Sequence, residues 1–221
     1  MYFSDIRVST SATVGIFNPL ANLLLADEDF EGSAGIFADG TSFAAVQSGF
    51  TVTMPSGLHV DPGLVSIDTD ARGKVLKMES RGGPVYLDYM ANAAVTAAVG
   101  SNTVLIDFHV KHDGMGTAFA PYVRNSTGSG IAVSSQLNNK RFIFFNGSTE
   151  QAVSAEANAW HHIRVIIDYG AANFTLFLNG NPVMQQGQFR QALSPEDFGM
   201  ISFSVNGEGT MWLDDIKITY F

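Results

Sequence analysis

Short segments of alternating apolar and polar residues, each ended by turn residues, recur along most of this 221-residue chain. Residues 50–54 (Phe-Thr-Val-Thr-Met) alternate as a strand with one buried face must. The pattern returns at 74–79, 85–89, 103–111, 119–123, 131–136, 141–145, 160–169, 173–178, 200–205 and 211–220, with Gly, Pro, Asn or Asp in the breaks. Such spacing predicts an all-β sandwich or barrel. The 17 Phe suit pleated surfaces and the 22 Gly suit turns. Helical signals are sparse: Ser194-Pro195-Glu196-Asp197 suits a single turn, and Ala-rich 91–99 fits either a short helix or a flat strand.

The two ends of the chain carry nearly the same strand. Residues 1–9, Met-Tyr-Phe-Ser-Asp-Ile-Arg-Val-Ser, match 211–219, Met-Trp-Leu-Asp-Asp-Ile-Lys-Ile-Thr, and nothing between them repeats. An offset of 210 residues suits one large domain rather than a solenoid. Residues 1–25 therefore read as an N-terminal extension: a copy of the closing strand, a small polar linker at 9–13, and apolar 16–25, which packs on the domain or pairs as a strand. The domain proper is expected over 26–221, from the acidic run at Asp27 onward.

A net charge of −9 and a pI near 4.8 disfavour nucleic acid and anionic membranes as partners. They suit neutral glycans, cations or cationic partners, or simply solubility. With 46% hydrophobic and 15% charged residues the chain can bury a core. It has no Cys, hence no disulfide or thiolate metal site. Met1 runs into a strand-like segment with Asp5 and Arg7 rather than a signal peptide. The apolar stretch 14–25 is broken by Asn18-Pro19 and Asn22 and is too short to cross a bilayer.

Residues 159–183 form a hairpin pattern. Ile163, Val165 and Ile167 alternate after Trp160, Gly170 turns the chain, and Asn179-Gly180 after Phe174–Leu178 offers a second tight turn. This "W-h-x-h … Asn-Gly" pattern resembles the concanavalin A-like lectin/glucanase superfamily, especially its laminin-G-like members. The opening Asp29-Phe30-Glu31 and the closing Trp212-Leu213-Asp214-Asp215-Ile216-Lys217-Ile218 resemble that superfamily's first and last strands. The resemblance implies a two-sheet antiparallel β-sandwich, a jelly roll, framing 27–220. It does not carry function by itself.

Glucanase members of the superfamily need Glu-x-Asp-x-x-Glu on one strand, and no such spacing occurs here. Of the Arg-, Gln-x-His- and Tyr-containing motifs of jelly-roll alginate lyases only fragments are seen, Val110-Lys111-His112 and Gln188-Phe189-Arg190. No catalytic residue is assigned, and an enzyme is disfavoured. Neighbouring His161 and His162 point to opposite strand faces, as do His109 and His112, and His59 is isolated, so all five read as structural. The resemblance implies a structural Ca²⁺ between the opening and closing strands, with Asp29, Glu31, Asp214 and Asp215 as its ligands. The plainer alternative is that these acids are solvated.

A sugar site needs exposed rings to stack on sugars and amides to meet hydroxyls. Tyr86, Tyr89, Tyr122, Asn125 and Asn138, near strand ends or loops, are the candidates. The favoured expectation is a non-catalytic carbohydrate-binding or adhesive module on an extracellular, cell or particle surface. The alternative is an assembly subunit that pairs its N-terminal strand with a neighbour's sheet edge, making a homo-oligomer. A glycoside hydrolase or polysaccharide lyase comes third.

Overall fold

The structure, a computed structural model, describes residues 23–31, 36–37, 50–53, 64–91, 93–100, 102–190 and 197–221. The expected strand copy at 1–9, the linker at 9–13, His59 and the Ser194–Glu196 part of the expected turn lie outside them. The first described strands are β1 (Leu23–Glu28), β2 (Ile36–Phe37) and β3 (Phe50–Thr53), followed by the hairpin of β4 (Leu64–Asp70) and β5 (Gly73–Arg81). β6 (Val85–Met90) leads to α1 (Ala93–Val99), so residues 93–99 of the ambiguous stretch are helical. Next come β7 (Thr103–His112), β8 (Thr117–Arg124), β9 (Ile131–Asn138), β10 (Arg141–Asn146) and β11 (Thr149–Ser154). β12 (Trp160–Asp168), β13 (Asn173–Leu178), β14 (Asn181–Gln188), β15 (Met200–Asn206) and β16 (Glu208–Tyr220) complete the series.

These strands build two antiparallel sheets. One runs β14-β13-β12-β7-β16-β5-β4-β2, with β1 also on β16, and the other runs β11-β10-β9-β8-β15-β6-β3. The expected hairpin is there: Ile163 pairs with Leu178 and Ile167 with Phe174. Asn179 (φ 52°) and Gly180 (φ 79°) then make the tight turn into β14. Asn179 Oδ1 also accepts the His162 N–H at 2.8 Å, tying the turn to β12.

Alternation decides which face of each strand is buried. On β7, Val104, Ile106, Phe108 and Val110 are fully buried while the residues between them are not. Phe108 meets Phe203 of β15 edge to face, with centroids 4.9 Å apart, which joins one sheet to the other. Each fully buried side chain of this size contributes about 1.5–3 kcal/mol. Tyr169 is also fully buried, against Phe189 and Phe198 at 5.8 and 6.1 Å. Its hydroxyl finds no hydrogen-bond partner among the described residues, and burial pushes the phenol far above its usual range.

The opening and closing strands do meet. β16 shares its 208–213 half with β5 and its 216–220 half with β1, both on the side away from β7. Thus β1 carries the sheet back to Leu23, ahead of the boundary expected at residue 26. Asp29-Phe30-Glu31 is the turn after β1, not a strand. Asp29 Oδ1 accepts the Glu31 N–H (3.1 Å) and Phe30, at φ 59°, is fully buried.

The expected Ca²⁺ site needs correction. Among the described residues, no group of three or more His, Asp or Glu side chains is placed to hold a metal. Asp29 and Glu31 accept from backbone N–H groups, Glu31 Oε1 from Lys74 at 2.9 Å. Gly73 makes room for that carboxylate, since a Cβ there would lie 2.0 Å from Glu31 Oε1. Asp214 and Asp215 would face opposite ways on a regular strand. A bulge with Asp215 at φ 50° turns both carboxylates onto one side chain, Arg72 in the β4–β5 turn. Arg72 Nε donates to Asp214 Oδ2 at 2.6 Å, and Nη2 donates to Asp215. Arg72 thus engages two of the four acids while backbone N–H groups engage the other two, so the quartet does not gather around one ion. Burial pushes the Asp214 carboxyl up, against the opposing pull of Arg72.

Three outcomes follow from these contacts. Arg72→Met leaves the nearly buried Asp214 carboxylate without its cation and should cost about 1–3 kcal/mol in urea denaturation. Adding Asp214→Asn should restore part of the loss. Tyr169→Phe removes an unpaired hydroxyl from an apolar site and should leave stability equal or higher, by up to about 1 kcal/mol. His112 is buried, its Nε2–H donating to the Met115 carbonyl at 2.7 Å, and burial holds its imidazole below the usual 6.5. The unfolded chain therefore binds a proton that the native state refuses, and stability should fall as pH drops below about 6.5. In His112→Gln, melting temperatures recorded from about pH 7.5 to about pH 5 should slope less.

Candidate functional site

The outward face of the seven-stranded sheet holds a groove of about 410 Å³, within the range of about 300–1,000 Å³ usual for ligand sites. Its shape comes from side-chain size. On β15 the outward residues are Ser202 and Ser204, then Asn206. Register sets Ser204 between Tyr86 of β6 and Phe119 of β8, with Gln136 of β9 beyond Phe119. The next row is Asp88, Ser202, Tyr122 and Ser134. Small serines flanked by large rings make a trough. A register shift in β8 between Phe119 and Tyr122 keeps both rings on the groove side, 5.9 Å apart and edge to face.

Two arginines complete the lining. The Arg124 guanidinium stands 4.5 Å from the Tyr122 ring centroid, and that of Arg190, just after β14, stands 3.8 Å from Phe145 of β10. Arg190 Nη1 donates to Ser134 Oγ at 2.9 Å, and its backbone N–H reaches Ala132 O at 3.3 Å. Arg124 is placed by Gly199, whose N–H donates to Arg124 O at 3.1 Å. A Cβ on Gly199 would lie 2.2–2.3 Å from the backbone of Asn125 and Ser126, so only glycine lets this turn lie against β15.

Of the expected sugar-binding residues, Tyr86 and Tyr122 line this groove. Tyr89 does not: it is 4% exposed and stacks with Phe198 at 6.4 Å, and burial raises its phenol. One residue of parity separates the buried Tyr89 from the groove face. Asn125 closes the β8–β9 turn, its Oδ1 accepting from Gly130 N–H (3.0 Å) and Thr127 Oγ1 (3.1 Å). Asn138 donates to Thr117 Oγ1 (3.1 Å) beside the groove's Asn206 end. Phe119, Phe145, Gln136, Arg124, Arg190 and the serines had not been singled out for binding. The signal was available for two: Phe119 and Phe145 are rings at positions where the alternation calls for polar residues.

The outer face of the nine-stranded sheet is polar in another way. Lys111 lies over both Trp160 and Trp212, 4.9 and 4.6 Å from their ring centroids, and donates to Asp70 at 2.8 Å. The indole N–H groups donate to Asp70 (2.8 Å) and Asp68 (3.0 Å). His109 stacks on His162 at 4.8 Å, and His162 and Arg164 share Asp107. Burial and the nearby Arg72 charge hold His109 below its ordinary value. His112 and His161 point inward and hold backbone carbonyls, Met115 O and Glu156 O. Most of these groups are spent on one another, but His109 Nδ1 is buried without a hydrogen-bond partner among the described residues.

The chain matches no protein-family model and no curated protein sequence. Among solved structures it is similar to a sialidase, with a TM-score of 0.66 and 14% identity over 87% of this chain and 18% of that one. A botulinum neurotoxin type C structure, concerned with its interaction with two ganglioside molecules, has a TM-score of 0.52 and 17% identity. That match covers 86% of this chain and 48% of the toxin chain, so the chain spans less than half the length of either protein. An alginate lyase from Corynebacterium sp. has a TM-score of 0.56 and 11% identity over 78% of this chain and 94% of that one. At these identities the likeness is one of fold. The chain has the concanavalin A-like lectin/glucanase β-sandwich fold.

Proposed function

We propose that the chain is a non-catalytic glycan-recognition module whose binding face is the groove of the seven-stranded sheet. One observation carries this: Tyr86, Phe119, Tyr122 and Phe145 present rings to the same trough as Ser202, Ser204, Gln136 and Asn206. Aromatic faces pack on the C–H faces of sugar rings, and hydroxyls and amides satisfy sugar hydroxyls in both directions. The fold is shared by proteins whose names refer to glycans, among them the sialidase, the ganglioside-dependent toxin and the alginate lyase. Among the described residues the lining itself has no imidazole, and the nearest carboxylate, Asp88, is engaged by Ser202 Oγ at 2.5 Å, which supports recognition over turnover. A module of this kind would act where glycans are displayed, on a cell or particle surface.

Tyr86→Ala and Tyr122→Ala should each weaken binding of an oligosaccharide found on a glycan array, by about 0.5–1.5 kcal/mol, measured by calorimetry with melting temperature as a control. An oligosaccharide bound equally well by the double variant would place recognition elsewhere. Incubation with the polysaccharide that binds should release no new reducing ends. Sustained release would replace a binding module with an enzyme.

A further inference from the structure

We infer that the ligand of this groove carries a carboxylate, as in a uronic- or sialic-acid-containing oligosaccharide. This rests on the groove being the glycan site and adds the chemical class. The chain has 21 acidic residues against 12 basic ones. Of the four described arginines elsewhere, three sit on carboxylates: Arg72 meets Asp214 and Asp215, Arg81 meets Glu79, and Arg164 meets Asp107, while Arg141 stands exposed on β10. Among the described residues the groove's lining has two guanidiniums, the nearest carboxylate, Asp88, is held beside it by Ser202 Oγ at 2.5 Å, and neither Arg124 nor Arg190 forms an ion pair.

Both are held by neutral contacts that leave donors unspent. Arg124 lies against Tyr122 and Arg190 against Phe145. A ring beneath a guanidinium fixes its plane without using its N–H groups. Arg190 spends Nη1 on Ser134. Arg124 Nε is shielded from solvent and has no acceptor among the described residues. An unmatched buried donor of this kind is stabilised most by a charged acceptor. Planar guanidinium forks match carboxylates with paired N–H···O bonds. The neighbouring rings and serines then take the sugar's faces and hydroxyls.

The test is calorimetric titration of the purified chain with four probes: an oligogalacturonate, its methyl ester, a sialyl-oligosaccharide and a sulfated oligosaccharide. The inference expects a carboxylated probe to bind, at least tenfold more tightly than the esterified form. Arg190→Met and Arg124→Met should each weaken that binding at least tenfold. Arg190→Lys, which keeps the charge but loses the fork, should recover only part of it. Because Arg124 is partly shielded, Arg190→Met serves as the second variant should Arg124→Met lower the melting temperature. Ester bound as tightly as acid, with the arginine variants unaffected and Tyr86→Ala weakened, would overturn the carboxylate and leave the groove reading standing. Preference for the sulfated probe would also overturn it. Binding of any probe that ignores Tyr86, Tyr122 and both arginines would remove the groove reading itself.

Discussion

The contact of Phe108 with Phe203 is where the two sheets become one domain. β7 and β15 are interior strands of their sheets; β7 alternates in burial and β15 alternates Ile201, Phe203 and Val205 with Ser202 and Ser204, so turning those rings inward commits every neighbouring residue to a face. Shifting either strand by one residue would bring His109 or Ser204 into the core and put a phenylalanine in water. The hydrophobic cost of that exchange holds the register, and the register places everything outside. Ser202 and Ser204 lie in the trough because Phe203 lies beneath it.

The two outer faces obey the same alternation and reach opposite states. On the nine-stranded side, Arg72 reaches from the β4–β5 turn to Asp214 and Asp215, and Lys111 is clasped by two indoles and Asp70. Most charges and donors there are matched within the chain, His109 Nδ1 excepted, which stabilises the seam between the opening and closing strands. On the seven-stranded side the rings carry arginines whose donors are largely unspent, beside serines too small to fill the space. Polar groups that find partners inside a protein are structure. Those held in place without partners are available for recognition.

Much of the sheet content was legible because alternation is local. The 160–178 hairpin, the Asn179-Gly180 turn and the strands near 85, 103, 131 and 200 are in place. The strands not anticipated carry weaker patterns. β11 is exposed or half-buried throughout, and β14 breaks its register twice against β13. β4 ends in Asp68 and Asp70, acids that read as a loop until Trp212 and Trp160 are found donating to them. An opening strand beside the closing one is present, but it is Leu23–Glu28 rather than the expected Asp29–Glu31, and the metal is not supported. Asp29, Glu31, Asp214 and Asp215 are the right residue types, but their directions depend on a turn, a bulge and Arg72.

By itself the sequence determined the class of fold, the buried face of most strands and the chemistry available to any surface, since each follows from residue type and a period of two. The tertiary structure decided which of these residues share a surface. Arg124 and Arg190 stand 66 residues apart in the chain, and no sequence motif links them. They meet over one trough because β14 delivers Arg190 to the sheet that carries Arg124. Tyr89 shows the same rule in reverse: three residues from Tyr86 and equally suited to a sugar, it faces the core because parity along β6 outweighs residue type.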